Sequence, residues 1–167
     1  MNKFNISMVA VAVSFAFSAG AMAQSLTKDE YKTHKADIAG EYKSAAAGCG
    51  SFAANAKDVC MAEARGRENI AKAELEARYK PAQKADYQVR VTKAEAGYSV
   101  AREKCDDKAG NVKDICLKEA KSAETAAKAD AKAQLKTSDA NKVANEKSAK
   151  AYTKADKKSA DARQDAA

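Results

Sequence analysis

The chain has 167 residues and a formal net charge of +7 from 30 basic and 23 acidic side chains, and its hydrophobic class is 46%. Alanine supplies 41 of those apolar residues and there is no tryptophan, which excludes a sheet protein with a large core; one proline and seven glycines exclude collagen-like and Pro/Gly-rich disordered chains. A single histidine leaves little room for imidazole catalysis or a zinc site. What remains is an all-α chain of long alanine-rich helices, organised as one domain or two small ones.

The first 23 residues predict a secretory signal peptide. Lys3 gives the positive start, Met8 to Phe17 is an apolar run too short to span a bilayer, and Ala21-Met22-Ala23 has the small-x-small cleavage pattern, placing the mature start at Gln24. No later stretch is apolar enough for a transmembrane segment. The short leader predicts an exported, periplasmic protein. In that oxidising compartment paired cysteines read as disulfides.

All four cysteines, Cys49, Cys60, Cys105 and Cys116, lie in the mature part. Ten residues separate the members of each pair, and the pairs are offset by 56. Cys49 to Ala64 (CGSFAANAKDVCMAEA) and Cys105 to Ala120 (CDDKAGNVKDICLKEA) are identical at eight of sixteen positions, and Tyr31 and Tyr42 recur as Tyr87 and Tyr98 at the same offset. This is an internal duplication. Each unit holds a helix break between its cysteines. Asn55 and Asn111 are expected N-caps with Asp58 and Asp114 three residues on, and Gly110 is expected as the glycine that ends the preceding helix.

Apolar spacing predicts two antiparallel arms per unit. Tyr31, Lys35, Ile38, Tyr42, Ala45 and Cys49 step by four and three, as do Cys60, Ala64, Arg67, Ala71, Leu75 and Tyr79. Folding the arms together opposes Cys49 with Cys60, Ala45 with Ala64, Tyr42 with Arg67, Ile38 with Ala71, and Tyr31 with Tyr79. Tyr42 and Arg67 are placed for a cation–π contact. The second unit opposes Cys105 with Cys116, Ala101 with Ala120, Tyr98 with Ala123, and Tyr87 with Leu135. The expectation is two tandem antiparallel helical hairpins, coiled-coil-like and stapled by disulfides: residues 24–80 and 81–136, with Pro81 ending or kinking the helix between them. Thr137-Ser138-Asp139 is a candidate break before a Lys/Ala-rich tail, 137–167, expected to be solvated and partly helical.

The favoured pairing is Cys49–Cys60 and Cys105–Cys116, each cysteine five or six residues from its turn. One large hairpin about Pro81, joining Cys49 to Cys116 and Cys60 to Cys105, is the main competitor, with a metal site using His34 behind it. Lysines interleaved with acids are chiefly a solvated face. The alternative is a weak surface for anionic lipid, lipopolysaccharide or nucleic acid, and from Ala140 onward there are seven basic and four acidic residues. No aromatic-basic cluster, helix-turn-helix or phosphate loop predicts specific nucleic-acid binding. The expected function is non-enzymatic, without cofactor. The role is structural or interacting at the cell envelope, with an envelope protein or anionic envelope surface as partner and self-association open. The alternative is a stress-protective, chaperone-like protein.

The repeated unit Asn55-Ala-Lys57-Asp58-Val-Cys60 and Asn111-Val-Lys113-Asp114-Ile-Cys116 resembles small exported bacterial proteins of unknown function carrying an N-x-K-D-x-C unit, often labelled TolA-like. The resemblance implies an exported helical protein. The composition of Ala123 to Leu135 is also similar to the repeats of late-embryogenesis-abundant stress proteins.

Overall fold

A computed structural model describes residues 25–164, so the expected leader lies outside the described residues. Four α-helices follow one another: α1 (Lys28–Gly48), α2 (Ala54–Tyr79), α3 (Gln83–Cys105) and α4 (Gly110–Gln164), with a short 3-10 turn at Cys49–Ser51. No strand occurs among the described residues. Alanine, lysine, glutamate and glutamine carry the least helix cost per residue, so intrinsic propensity alone favours this outcome. α1 starts at a capping box. Thr27 Oγ1 accepts from the Glu30 backbone N–H at 3.2 Å and Glu30 Oε2 accepts from the Thr27 N–H at 2.8 Å. The sequence carries this start in Thr27-Lys-Asp-Glu30.

The helices run antiparallel in chain order, and each packs only on its chain neighbours among the described residues. They therefore form one layer, with α2 and α3 each gripped on two sides. The α1–α2 register is the expected one. Ile38, Tyr42 and Ala45 line one groove with Ala64, Arg67 and Ala71, and the rings of Tyr31 and Tyr79 stack at 4.4 Å. The Tyr31 hydroxyl donates to Glu76, which raises the phenol's pKa above its ordinary value. Tyr42 and Arg67 share the groove, but the cation–π contacts among the described residues are elsewhere: Lys121 over Tyr98 at 4.9 Å and Lys80 over Tyr79 at 5.4 Å.

Pro81 separates α2 from α3, which fold back on each other about it. This α2–α3 seam is not in the two-hairpin expectation. It is closest where Gly66 meets Ala96, and it is tied by Lys93–Glu74 at 2.7 Å and Lys104–Glu63 at 3.3 Å. Local disulfides and packing about Pro81, which the sequence sets against each other, coexist. The buried apolar side chains among the described residues are few: Cys49, Ala64, Leu75, Cys105 and Ala131. Each buried methylene contributes about 0.8 kcal/mol, so an alanine seam is thin and needs covalent help.

Three local expectations are corrected. Asn55 and Asn111 are not N-caps. α2 begins at Ala54 behind an extended Ala53 that has no side-chain acceptor, and Asn55 Nδ2 is buried without a partner. α4 begins at Gly110, which puts Asn111 inside the first turn, and Gly110 opens α4 instead of closing α3. The cause is the left-handed residue that swings the chain into each returning helix: Ala54 at φ 47° and Gly110 at φ +54°. It takes the boundary position that a cap would hold. The cysteines are also not symmetric about their turns. Cys105 ends α3 and Cys49 directly follows α1, whereas Cys60 and Cys116 lie well inside α2 and α4. Finally, Thr137-Ser138-Asp139 does not interrupt α4, and the tail is helical through Gln164.

Ala54 and Gly110 are equivalent positions of the duplication, offset by 56. A left-handed alanine costs about 1–2 kcal/mol that glycine does not. Ala54→Gly is therefore expected to raise the thermal midpoint and Gly110→Ala to lower it, each by the equivalent of about 1 kcal/mol. Opposite-signed shifts in one calorimetric series check this, and two shifts of the same sign would refute it.

Candidate functional site

The connections α1–α2 and α3–α4 fall at one end of the layer, so both disulfides staple the same end. Cys49–Cys60 and Cys105–Cys116 have Cα–Cα distances of 5.6 and 5.7 Å, and no thiol is left free. Both Cα separations lie in the ordinary disulfide range, reached because alanine neighbours let the helices approach. The structure brings together the pairs that local folding predicts, and neither the crossed pairing nor a four-thiolate metal set applies. His34 sits on α1 with Nδ1 3.8 Å from Asp37, far from the sulfurs in the fold. At the stapled end Phe52, Val112 and Ile115 stay exposed, Val112 to 61%.

Midway along the α3–α4 seam is an ion-pair cluster that the sequence did not single out. Glu124 is buried, at 6% exposure, and receives Lys121 Nζ and Lys128 Nζ at 2.7 Å each; Lys128 also reaches Glu95 at 2.8 Å. The hydrogen bonds from Lys121 and Lys128 hold the Glu124 carboxyl below the usual carboxylate range, against the opposing effect of burial. The same carboxylates push Lys128 upward. Lys-x-x-Glu-x-x-x-Lys is the sequence signal for it, read there only as interleaved surface charge.

A depressed carboxylate contributes stability above the unfolded-state pKa, about 4.3, and that contribution is lost as pH falls through the lower folded-state value. The thermal midpoint is thus expected to drop on acidification below about pH 5, and Glu124→Gln to lower it at neutral pH while flattening this acid limb. Parallel acid limbs in the two proteins would exclude Glu124 as the source.

Between α2 and α3 an open groove of about 470 Å³ has a floor of Gly66, Ile70, Ala96, Gly97 and Val100 and a rim that includes Arg67, Lys93 and Lys104. It is shallow and its two rim lysines are already paired with Glu74 and Glu63. It joins no nucleophile to a base.

The most exposed element is the far part of α4. Gln83 Nε2 donates to the Ser138 carbonyl at 3.2 Å, which closes the α3–α4 seam at the Pro81 end. From Asp139 to Gln164 every residue is exposed. These 26 residues extend about 39 Å from the body as a lone helix. Its continuity has a sequence signal. Ala129, Ala133, Ala140, Ala144, Ala151, Ala155 and Ala162 alternate steps of four and seven, an 11-residue period that crosses Thr137–Asp139 without a slip. Eleven residues in three turns is about 3.67 per turn, close enough to an α-helix to keep one stripe on one side. Val143 and Tyr152 lie exposed on this segment.

No helix of the described residues is long and apolar enough to cross a membrane. Two disulfides in a chain of this kind fit an oxidising compartment. Compared with protein-family models, curated proteins and solved structures, the chain finds no match in any of the three.

Proposed function

We propose that the chain is an exported, non-enzymatic helical protein of the bacterial periplasm with a structural or interaction role at the cell envelope. The observation that carries this reading is the architecture: a disulfide-stapled layer of helices that encloses almost nothing and holds out a long bare helix. Such a shape presents surface and reach. The leader-like residues 1–23 and the two disulfides support export, and the N-x-K-D-x-C resemblance points the same way. In situ crosslinking followed by fractionation tests the reading. Recovery in the periplasmic or envelope fraction with a reproducible crosslinked partner is expected. Cytoplasmic recovery with free thiols, or a specific catalytic activity in the purified chain, would overturn it.

A second reading, a chaperone-like protector of unfolded clients, is favoured by the exposed Phe52, Val112, Ile115, Val143 and Tyr152. Suppression of aggregation of a model client separates the two. No effect at several-fold molar excess rejects the second.

A further inference from the structure

Ion-paired lysines among the described residues are confined to the body, where ten further lysines are unpaired as well. Lys32, Lys72, Lys93, Lys104, Lys113, Lys121 and Lys128 each lie against a carboxylate. No lysine beyond Lys128 forms an ion pair among the described residues. On the bare segment Lys147, Lys150 and Lys154 recur at steps of three and four, and Lys157 and Lys158 stand three and four residues beyond Lys154, which places all five on about 100° of the helix. Lys150, Lys154 and Lys157 border one shallow surface hollow with Ala149 and Thr153. Like charges three and four apart weaken an isolated helix. The row is thus a local cost that an apposed polyanion would turn into a gain.

We infer that Lys147, Lys150, Lys154, Lys157 and Lys158 form a docking row for an anionic, phosphate-bearing lipid surface; this rests on the envelope reading above. The geometry selects among polyanions. The row is straight and one-sided, as a planar array of headgroups requires. Ala144, Ala151 and Ala155 lie beside it, so nothing bulky holds the backbone away from that plane. Tyr152 falls on nearly the opposite side, which leaves the row no stacking platform for the bases of a single-stranded nucleic acid. Val143 lies in line with the row one turn before Lys147 and is its one large apolar side chain, and Asp161 ends the row one turn after Lys157, so attraction depends chiefly on lipid charge and little on insertion. Each lysine held near an anionic membrane strengthens binding by about fivefold at moderate salt.

The test uses the disulfide-bonded chain from Gln24 to Ala167 and sedimentation with two vesicle types: phosphatidylcholine alone, and phosphatidylcholine with phosphatidylglycerol. The informative variant keeps composition and net charge but disperses the row by three exchanges: Ala149→Lys with Lys150→Ala, Thr153→Lys with Lys154→Thr, and Asp156→Lys with Lys157→Asp. Circular dichroism and disulfide mapping establish that its body is intact. The expected result is binding to the anionic vesicles only, released by added salt, and about tenfold or more weaker in the variant. Equal binding by the variant would show that net charge suffices and overturn the row. Binding to both vesicle types, or to neither, would overturn the lipid assignment, as would tighter binding to a DNA duplex. Crosslinking and fractionation are independent of vesicles, so a failed row with envelope recovery leaves the envelope reading standing, and cytoplasmic recovery removes that reading itself.

Discussion

Reduction of both disulfides is expected to lower the thermal midpoint by about 10–20 °C while leaving most of the far-ultraviolet helix signal in place at low temperature. Each disulfide closes a loop across a sequence separation of 11. In the chain-entropy picture a loop of that size contributes close to 3 kcal/mol by restricting the unfolded chain. A chain of this length has only about 5–15 kcal/mol in total, and this one buries few large side chains. The two staples are therefore a large share of what keeps the layer assembled. The helix signal should survive because alanine, lysine and glutamate favour helix without tertiary support. The single pairs Cys49→Ala with Cys60→Ala, and Cys105→Ala with Cys116→Ala, should each give about half the loss. The second pair should also loosen α4, whose body contacts all run through α3. An unchanged midpoint on reduction would refute the account. So would loss of helix in step with the midpoint, because helix formation would then depend on the tertiary seam.

The sequence was most informative where one physical rule acted twice. Two cysteine pairs at one spacing, with tyrosines and alanines repeating at the same offset, set the register of both hairpins, and Tyr31 against Tyr79 follows from it. At the starts of α2 and α4 two rules compete for one position. Asn55 and Asn111 have the right chemistry for a cap, but the chain needs a left-handed residue to leave each loop, and Ala54 and Gly110 occupy the boundary. The expected break at Thr137–Asp139 rested on three residues of weak helix propensity. The 11-residue alanine period spans them, and a sum over many residues outweighs a local dip of a few tenths of a kcal/mol. Glu124 was not legible as a buried group, because Lys-Glu-Lys spacing looks the same on a solvated face as on a seam.

The α2–α3 seam was the largest feature left out, because its signal is an absence of side chain. Gly66 reads in sequence as a weak point of α2, costing about 1 kcal/mol relative to alanine. In the fold it is buried, and a Cβ built there would lie 3.1 Å from the Cβ of Ala96. At Gly40 and Gly97 an added Cβ meets nothing within 4 Å. Gly40 and Gly97 should therefore respond differently from Gly66. Gly40→Ala and Gly97→Ala should each stabilise by about 0.5–1 kcal/mol through helix propensity alone.

At Gly66 the first methyl sets the same gain against a contact tighter than alanine methyls normally make, so Gly66→Ala is expected to come out near neutral. Gly66→Leu adds a branched side chain where two backbones meet. Three outcomes are open to it: the leucine turns into solvent, α2 and α3 separate, or Ala96 moves. The first is blocked because residue 66 points at α3, and the last because Ala96 has no rotamer to change. Separation remains. It would lengthen the Lys93–Glu74 and Lys104–Glu63 pairs that flank the contact. The expected loss is about 2–3 kcal/mol, read as a lower denaturant midpoint with both disulfides still formed. Gly66→Leu with Ala96→Gly should recover part of that loss, because the second change removes the methyl that the first collides with. A Gly66→Leu protein as stable as the parent, or a double variant no better than the single one, would mean that α2 and α3 are not held together through this contact.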